Sequence, residues 1–349
     1  MTPVKTEKLR VALFMGGRSE EREVSLNTGK MIARHLDKNK YEILPLEIDR
    51  DGKWLLDSPT LREIEAAGQA KIDAGLIRSV SPTVLARERS IDVVFLALHG
   101  PYGEDGTIQG MLELLGIPYT CSGVLASALA MDKFRMKAFV RGLGMRVAAD
   151  TLVSPLDFER HRSAVLERIH SLGNKTVIKP NRLGSSVATF IVDDSSQTER
   201  ALLEVFRLDQ DALVEEFIEG VEITAPVLGN GQPEALPLIE IVPNLGKFYD
   251  YQSKYADGGS DHIIPARLSH ELACHIQQQA IDVHLYLGCR GVTRSDFIVR
   301  DQEAYFLEIN TIPGMTAVSL APQSAQVAGY TFSQFLDKLI ELALEGNQD

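Results

Sequence analysis

Long apolar runs are missing from this 349-residue chain: after the polar opening MTPVKTEKLR, the stretch Val11 to Met15 is far too short for a secretory signal core or a membrane span. Neither export nor membrane insertion is expected. Cysteine is scarce. Cys121, Cys274 and Cys289 show none of the close spacings of a zinc site or a disulfide framework, so they read as reduced, buried thiols that suit the cytoplasm. Positive charge is in deficit, with a formal net charge of -12, which argues against a nucleic-acid partner. Any phosphate must then be met by a few placed lysines. A Walker loop is absent, and GGRSEERE near the start also fails that spacing and lacks G-x-G-x-x-G. There is no internal repeat and no low-complexity tract.

What is present is ordinary globular material, 44% apolar and 24% charged, in a chain whose length suits two or three domains sharing a cleft. The run RVALFMGG reads as a buried strand entering a tight loop, with a helix following from about Ser25 to Leu36. A second buried strand, IDVVFLALHG, runs into the glycine-rich loop GPYGEDG and a helix over Thr107 to Leu115. This order predicts an α/β front half. Between them, DRDGKWLL looks like a small hairpin, and the remainder up to Ser90 is weakly patterned. After the helical segment MDKFRMKAFVRGLG the pattern turns to antiparallel-looking strands, KTVIKP, VATFIV and ALVEEF. The last third holds EITAPVL, a long loop from about Phe248 to Ala266, a helix from about Glu271 to Leu287, the strand pair RSDFIV and AYFLEIN, and a closing helix over Thr331 to Leu344. Boundaries near Gly123 and Phe217 fit these changes, giving units 1–122, 123–217 and 218–349.

In RSDFIVRDQEAYFLEIN two apolar strands meet at a tight turn near Asp301 and Gln302. Strand alternation puts Glu308 and Asn310 on one face, with Asp296 roughly opposite. Two carboxylates and an amide are hard oxygen donors that suit Mg²⁺; the competing reading is the solvent face of an ordinary hairpin. Arg294 shares that face, either as a structural salt bridge or as a donor to an oxyanion. The loop TIPGMTAVSL directly follows Asn310 and offers backbone N–H groups. In KPNRLGSSV a strand-borne Lys179 precedes a glycine and two serines, which suits a loop closing over phosphates or a plain hairpin turn. In LVEEFIEGVEITAPV, Glu215, Glu216 and Glu222 are either acceptors for an adenine amino group and ribose hydroxyls or solvated edge residues.

Taken together these segments resemble the ATP-grasp superfamily, and within it the D-alanine-D-alanine ligases of bacterial cell-wall synthesis. The matching pieces run in order from GGRSEEREVSLNTG through ALHGPYGEDGTIQGMLELLGIPYT, SGVLASALAMDK, KPNRLGSSV, EFIEGVEIT and FYDYQSKY to RSDF and LEINTIPGMTAVSL. The resemblance implies a three-domain α/β (α+β overall) ATP-grasp architecture with a Rossmann-like N-terminal domain. It further implies ATP-dependent joining of two D-alanines through a D-alanyl phosphate, a cytoplasmic homodimer, two Mg²⁺ (or Mn²⁺) ions and room for an activating K⁺.

By the same resemblance, Asp296, Glu308 and Asn310 hold the metals with Glu308 bridging, Lys133 and Lys179 meet the phosphates, the backbone over Glu215, Glu216, Phe217 and Ile218 meets adenine, and Glu222 meets ribose. Glu21 faces the first D-alanine's ammonium group with His99 nearby. Arg294 and the Gly314 backbone form the oxyanion site, and Ser319 with the Leu320 backbone holds the second carboxylate. Ser185 and Tyr255 pair near Glu21, and Lys254 reaches the γ-phosphate from a lid over Phe248 to His262. Two positions depart from the commonest family pattern. Ala188 stands where glycine is usual, which bears on loop mobility, and Glu216 stands where many relatives carry lysine. The Lys254-Tyr255 pair argues for D-alanine over D-lactate as second substrate. A nucleotide-binding regulatory protein without turnover would be expected to lose the metal residues or Arg294 first, and all are present.

Overall fold

The computed structural model describes residues 8–55, 58–69, 91–185, 187–244, 259–316 and 318–345. Three sheets follow one another along the chain. The first comprises β1 (Leu9–Gly16), β2 (Tyr41–Ile48), β3 (Trp54–Leu55) and β4 (Val93–Leu96), in the order β3-β2-β1-β4. β1 runs parallel to β2 and β4, as its unbroken apolar run predicts, and β3 folds back on β2 as the small hairpin expected of DRDGKWLL. Helices α1 (Arg22–His35), α2 (Pro59–Ala66) and α3 (Thr107–Leu114) complete this part.

Helices α4 (Val124–Met131) and α5 (Lys133–Gly142) lead to the second sheet, β5 (Asp150–Val153), β6 (Thr176–Pro180), β7 (Phe190–Val192) and β8 (Ala212–Glu216). Its order is β5-β8-β6-β7 and every pairing is antiparallel. Helices α6 (Pro155–His170) and α7 (Ser195–Phe206) seal one face with Val165, Ile169, Leu202 and Val205 against Ile178 and Val214. Ser154 caps α6 through the Asp157 amide with Pro155 in the first turn, a position where a missing N–H costs nothing.

The third sheet holds β9 (Val221–Leu228), β10 (Glu234–Ala235), β11 (Ile239–Pro243), β12 (Ser260–Ile263), β13 (Val292–Arg300) and β14 (Glu303–Asn310), in the order β12-β11-β9-β13-β14 with β10 on β9. Strand β12 corrects the reading of Phe248 to Ala266 as loop throughout: Ser260–Ile263 pairs with β11, its half-buried, polar sequence SDHI having hidden the strand. Helices α8 (His270–Tyr286), α9 (Leu320–Val327) and α10 (Phe332–Glu345) follow.

The cores do not respect chain order. Phe335, Leu336, Leu339 and Ile340 of α10 pack with Val11, Leu13 and Phe95 of the first sheet. Met136 and Val140 of α5 pack with Ile223, Phe297 and Phe306 of the third. The helices thereby tie the sheets around a common cleft. Cys121 and Cys289 are buried as expected, but Cys274 is exposed, a correction that follows from its place on the outer face of α8.

Candidate active site

Strands β13 and β14 meet at a two-residue turn in which Asp301 and Gln302 both have positive φ, 52° and 63°, the conformation that matches the twist of a tight hairpin. The pairing sets Asp296 directly across from Glu308 and Arg294 across from Asn310, with a bulge between Asp296 and Phe297. Phe297 and Phe306 stack edge-on in the core, their centroids 5.6 Å apart. Asp296 is 5% exposed, so the acidic face lines a cleft and is not the solvent face of a simple hairpin. Thr224 of β9 donates to Asp296 Oδ1, and the Arg294 guanidinium forks onto both carboxylate oxygens at 2.9 and 2.8 Å. Arg294 therefore makes the salt bridge that was one of its two readings, and it also lines the cleft.

Two cavities meet at this hairpin. One, of about 620 Å³, is lined by Glu21, His99, Ser185, Arg294, Asn310, Gly314, Ser319 and Leu320. The other, of about 160 Å³, is lined by Lys179, Glu215, Glu216, Phe217, Ile218, Glu222 and Asp296. Lys133 and Glu308 belong to both, with Lys133 Nζ 3.5 Å from Glu308 Oε2. Residues drawn from three sheets and more than two hundred positions apart thus converge on one carboxylate–ammonium pair. Lys254 and Tyr255 lie outside the described residues.

In the larger cavity, the loop after β6 presses onto the loop before α1. Ser185 Oγ donates to Glu21 Oε1, which is the Ser185–Glu21 half of the expected cluster. Glycine leaves room on both sides of that carboxylate: a Cβ at Gly184 would lie 2.7 Å from Glu21 Oε2, and one at Gly100, whose φ is +72°, would lie 2.6 Å from it, so the carboxylate would have to shift. His99 is buried, its Nε2 is 3.1 Å from Thr28 Oγ1, and burial lowers its pKa to about 4, so the ring is neutral. Ser319 immediately precedes α9 without a side-chain bond to its amides, Leu320 opens that helix, and both line this cavity. Ser319 Oγ accepts from the Thr316 amide at 3.0 Å.

In the smaller cavity, Lys133 Nζ donates to the Leu183 carbonyl at 2.7 Å, tying α5 to the phosphate-type loop. Lys179 Nζ is 2.6 Å from Glu215 Oε2. That contact rules out the solvated-edge reading of Glu215: its carboxylate is 3% exposed and held between Lys179 and Lys137 at the wall of this cavity. The amides of Glu216 and Phe217 are bonded to the carbonyls of Ala149 and Lys175, and the Lys175 ammonium sits 3.7 Å over the Phe217 ring. Glu216 is half-exposed and 3.9 Å from Arg300.

Three participants escaped the reading of the sequence. Glu104 lines the larger cavity and accepts from the Gly100 amide at 2.7 Å; burial and the neighbouring Glu21 charge push its carboxyl well above the usual range. Its place in GPYGEDG was a signal, but its nearness to Glu21 was not. Asn181 Oδ1 accepts from the Phe134 amide at 2.9 Å and anchors the start of α5. Lys137, one helical turn beyond Lys133, is fully buried against Glu215, and MDKFRMK spacing pointed to that shared face.

The donor set fits a divalent metal. Asp296 and Glu308 are paired across two strands, and Asn310, whose Oδ1 accepts from the Ile312 amide at 2.9 Å, retains a second lone pair.

Comparison with known proteins agrees with this geometry. Residues 10–122 match a family model described as D-ala D-ala ligase N-terminus, and residues 139–341 match D-ala D-ala ligase C-terminus. The chain is 44% identical over 341 residues to a D-alanine–D-alanine ligase of Desulforamulus reducens, covering 97% of this chain and 99% of that protein. Among solved structures it is similar to the VanG D-Ala:D-Ser ligase from Enterococcus faecalis, with 32% identity, a TM-score of 0.82 and coverage of 97% and 100%. It is also similar to the D-alanine–D-alanine ligase of Bacillus anthracis complexed with ATP, with 32% identity, a TM-score of 0.75 and coverage of 97% and 99%. With both halves matched in order and a relative 44% identical over nearly the whole chain, this chain belongs to the D-alanine–D-alanine ligase family.

Proposed function

We propose that this protein joins two D-alanine molecules at the expense of ATP, through D-alanyl phosphate, to supply the dipeptide for peptidoglycan precursors. The supporting observation is that the two cavities share Lys133 and Glu308, so a γ-phosphate entering from one side meets a carboxylate entering from the other. A carboxylate has no usable leaving group. Its oxygen attacks the γ-phosphorus, ADP departs, and the second molecule's amine displaces phosphate through a tetrahedral intermediate.

In this reading Glu21 receives the first substrate's ammonium group beside His99, and Ser185 holds the Glu21 carboxylate in place. Arg294 and the Gly314 amide face the oxyanion, while Ser319 and the first amides of α9 receive the second carboxylate. Lys133 and Lys179 meet the phosphates, the backbone from Glu215 to Ile218 flanks adenine, and Glu222 meets ribose. Asp296, Glu308 and Asn310 would hold Mg²⁺ (or Mn²⁺), which would supply neutralisation of phosphate charge; K⁺ is an optional activator. Lys254 and Tyr255, outside the described residues, enter this reading by the family resemblance alone. The units 1–122, 123–217 and 218–349 act as three domains of a cytoplasmic homodimer, and among the described residues no helix is long and apolar enough to cross a membrane.

ADP release with D-alanine alone, D-alanine plus D-serine, D-alanine plus D-lactate, and L-alanine, each with and without Mg²⁺, tests the reading. The D-serine arm matters because the fold is as close to a D-Ala:D-Ser ligase as to D-alanine ligases. Mg²⁺-dependent turnover with D-alanine as the preferred second substrate supports the proposal; preference for D-serine or D-lactate, or release independent of amino acid, overturns it.

A further inference from the structure

At the wall of the smaller cavity lies a charged pair whose side chains the proposed chemistry does not use. Lys137 is fully buried on α5, and its ammonium is ion-paired with Glu215 Oε1 at the end of β8. The other oxygen of the same carboxylate, Oε2, is 2.6 Å from Lys179 of β6. Glu215 is itself 3% exposed. One carboxylate thus spans two ammonium groups, one sealed in the interior and one lining the cavity. Asp150, whose charge also acts on Lys137, is 2.5 Å from Arg141.

Burying a lysine is costly unless it is paired, and a pair of neutral residues would fill the same space without that cost. Burial and the nearby Lys179 charge pull the Lys137 pKa below the ordinary lysine range, so its charge depends on the Glu215 carboxylate that touches it, with Asp150 and Glu308 acting in the same sense. Such an arrangement makes sense if the carboxylate charge must be divided. With Lys137 present, Glu215 orients Lys179 without fully neutralising it, so the Lys179 charge remains available to an anion in the cavity. Without Lys137, the whole carboxylate charge falls on Lys179.

We propose that Lys137 is a positioning residue for nucleotide binding, acting through Glu215 to keep the Lys179 ammonium oriented and electrostatically available to phosphate. The proposal rests on the reading of the smaller cavity as the ATP site. It concerns ATP and not D-alanine, because neither Lys137 nor Glu215 lines the larger cavity.

The test measures steady-state constants and melting temperatures for Lys137→Met, Lys137→Met/Glu215→Gln and Lys179→Met. In K137M the KM for ATP should rise about tenfold, the scale of one weakened charge-assisted contact, with kcat and the KM for D-alanine within about twofold. In the double variant, which relieves Lys179 of the carboxylate charge but also removes the group that orients it, the KM for ATP should recover in part, to at least about threefold below that of K137M. Equal rises in both KM values, or no recovery in the double variant, would overturn the proposal by making Lys137 merely structural. If K137M does not fold, the double variant decides by the first of these criteria, and failure of both to fold counts against the proposal. Lys179→Met separates the two levels: an unchanged KM for ATP there refutes the nucleotide reading, whereas a raised one beside an unaffected K137M refutes only the role of Lys137.

Discussion

Asp296 and Glu308 face each other across the β13–β14 ladder, and a cation stands at each end of the pair: Arg294 forks onto Asp296, and Lys133 lies 3.5 Å from Glu308. Glu308, like Lys133, lines both cavities. Glu308→Gln keeps the shape and removes the charge, so kcat for ADP release should fall by roughly 10²- to 10³-fold, the worth of several kcal/mol of lost transition-state stabilisation. The melting temperature should change little. A kcat within threefold of wild type would contradict the central place given to this carboxylate.

Gly184 allows the phosphate-type loop to approach Glu21. A Cβ there would sit 2.7 Å from Oε2 and 3.1 Å from Oε1, so Gly184→Ala must displace the carboxylate or the loop. The KM for D-alanine should rise about tenfold or more, exceeding the change in KM for ATP, since small misplacements of a positioning group are expensive. An unaltered KM for D-alanine would show that Glu21 does not hold the substrate.

Ala188 has φ of 51°, in the left-handed region that disfavours any side chain with a Cβ. This explains physically why glycine suits the position. Ala188→Gly should raise stability toward urea by up to about 1 kcal/mol, because relief of the strain outweighs glycine's greater entropy in the unfolded chain. A lower denaturation midpoint would contradict the strain.

His284 is buried between Thr293 Oγ1, 2.8 Å from Nδ1, and the Gly229 carbonyl, 3.0 Å from Nε2. Burial lowers its pKa to about 4. The folded state therefore binds fewer protons than the unfolded state between pH 6.5 and 4, and stability falls as pH drops through that window. At pH 5 the loss from this residue should be roughly 2 kcal/mol relative to pH 7. Stability curves for wild type and His284→Gln should converge as pH falls from 7 to 5; parallel curves would show that His284 does not titrate in this way.

Local periodicity made much of this molecule legible. Alternation along RSDFIV and AYFLEIN was enough to gather Arg294, Asp296, Glu308 and Asn310, and the apolar run RVALFMGG was enough for a buried parallel strand. What escaped was nonlocal. The approach of Glu104 to Glu21 and the sharing of Glu215 between Lys137 and Lys179 depend on how separate elements dock, and no spacing encodes that. The return of α10 onto the first sheet escaped for the same reason: its apolar face was evident, its partner was not. Strand β12 was missed because its polar residues alternate too weakly to mark a face.

The central claim is that a substrate carboxylate is activated by phosphorylation, and the fate of its oxygen tests this most directly. With D-alanine labelled by oxygen-18 in the carboxylate, turnover with ATP should place one labelled oxygen in the released inorganic phosphate for each dipeptide formed. The oxygen that attacks phosphorus leaves with it when the amine adds. Unlabelled phosphate accompanying dipeptide formation would contradict the account.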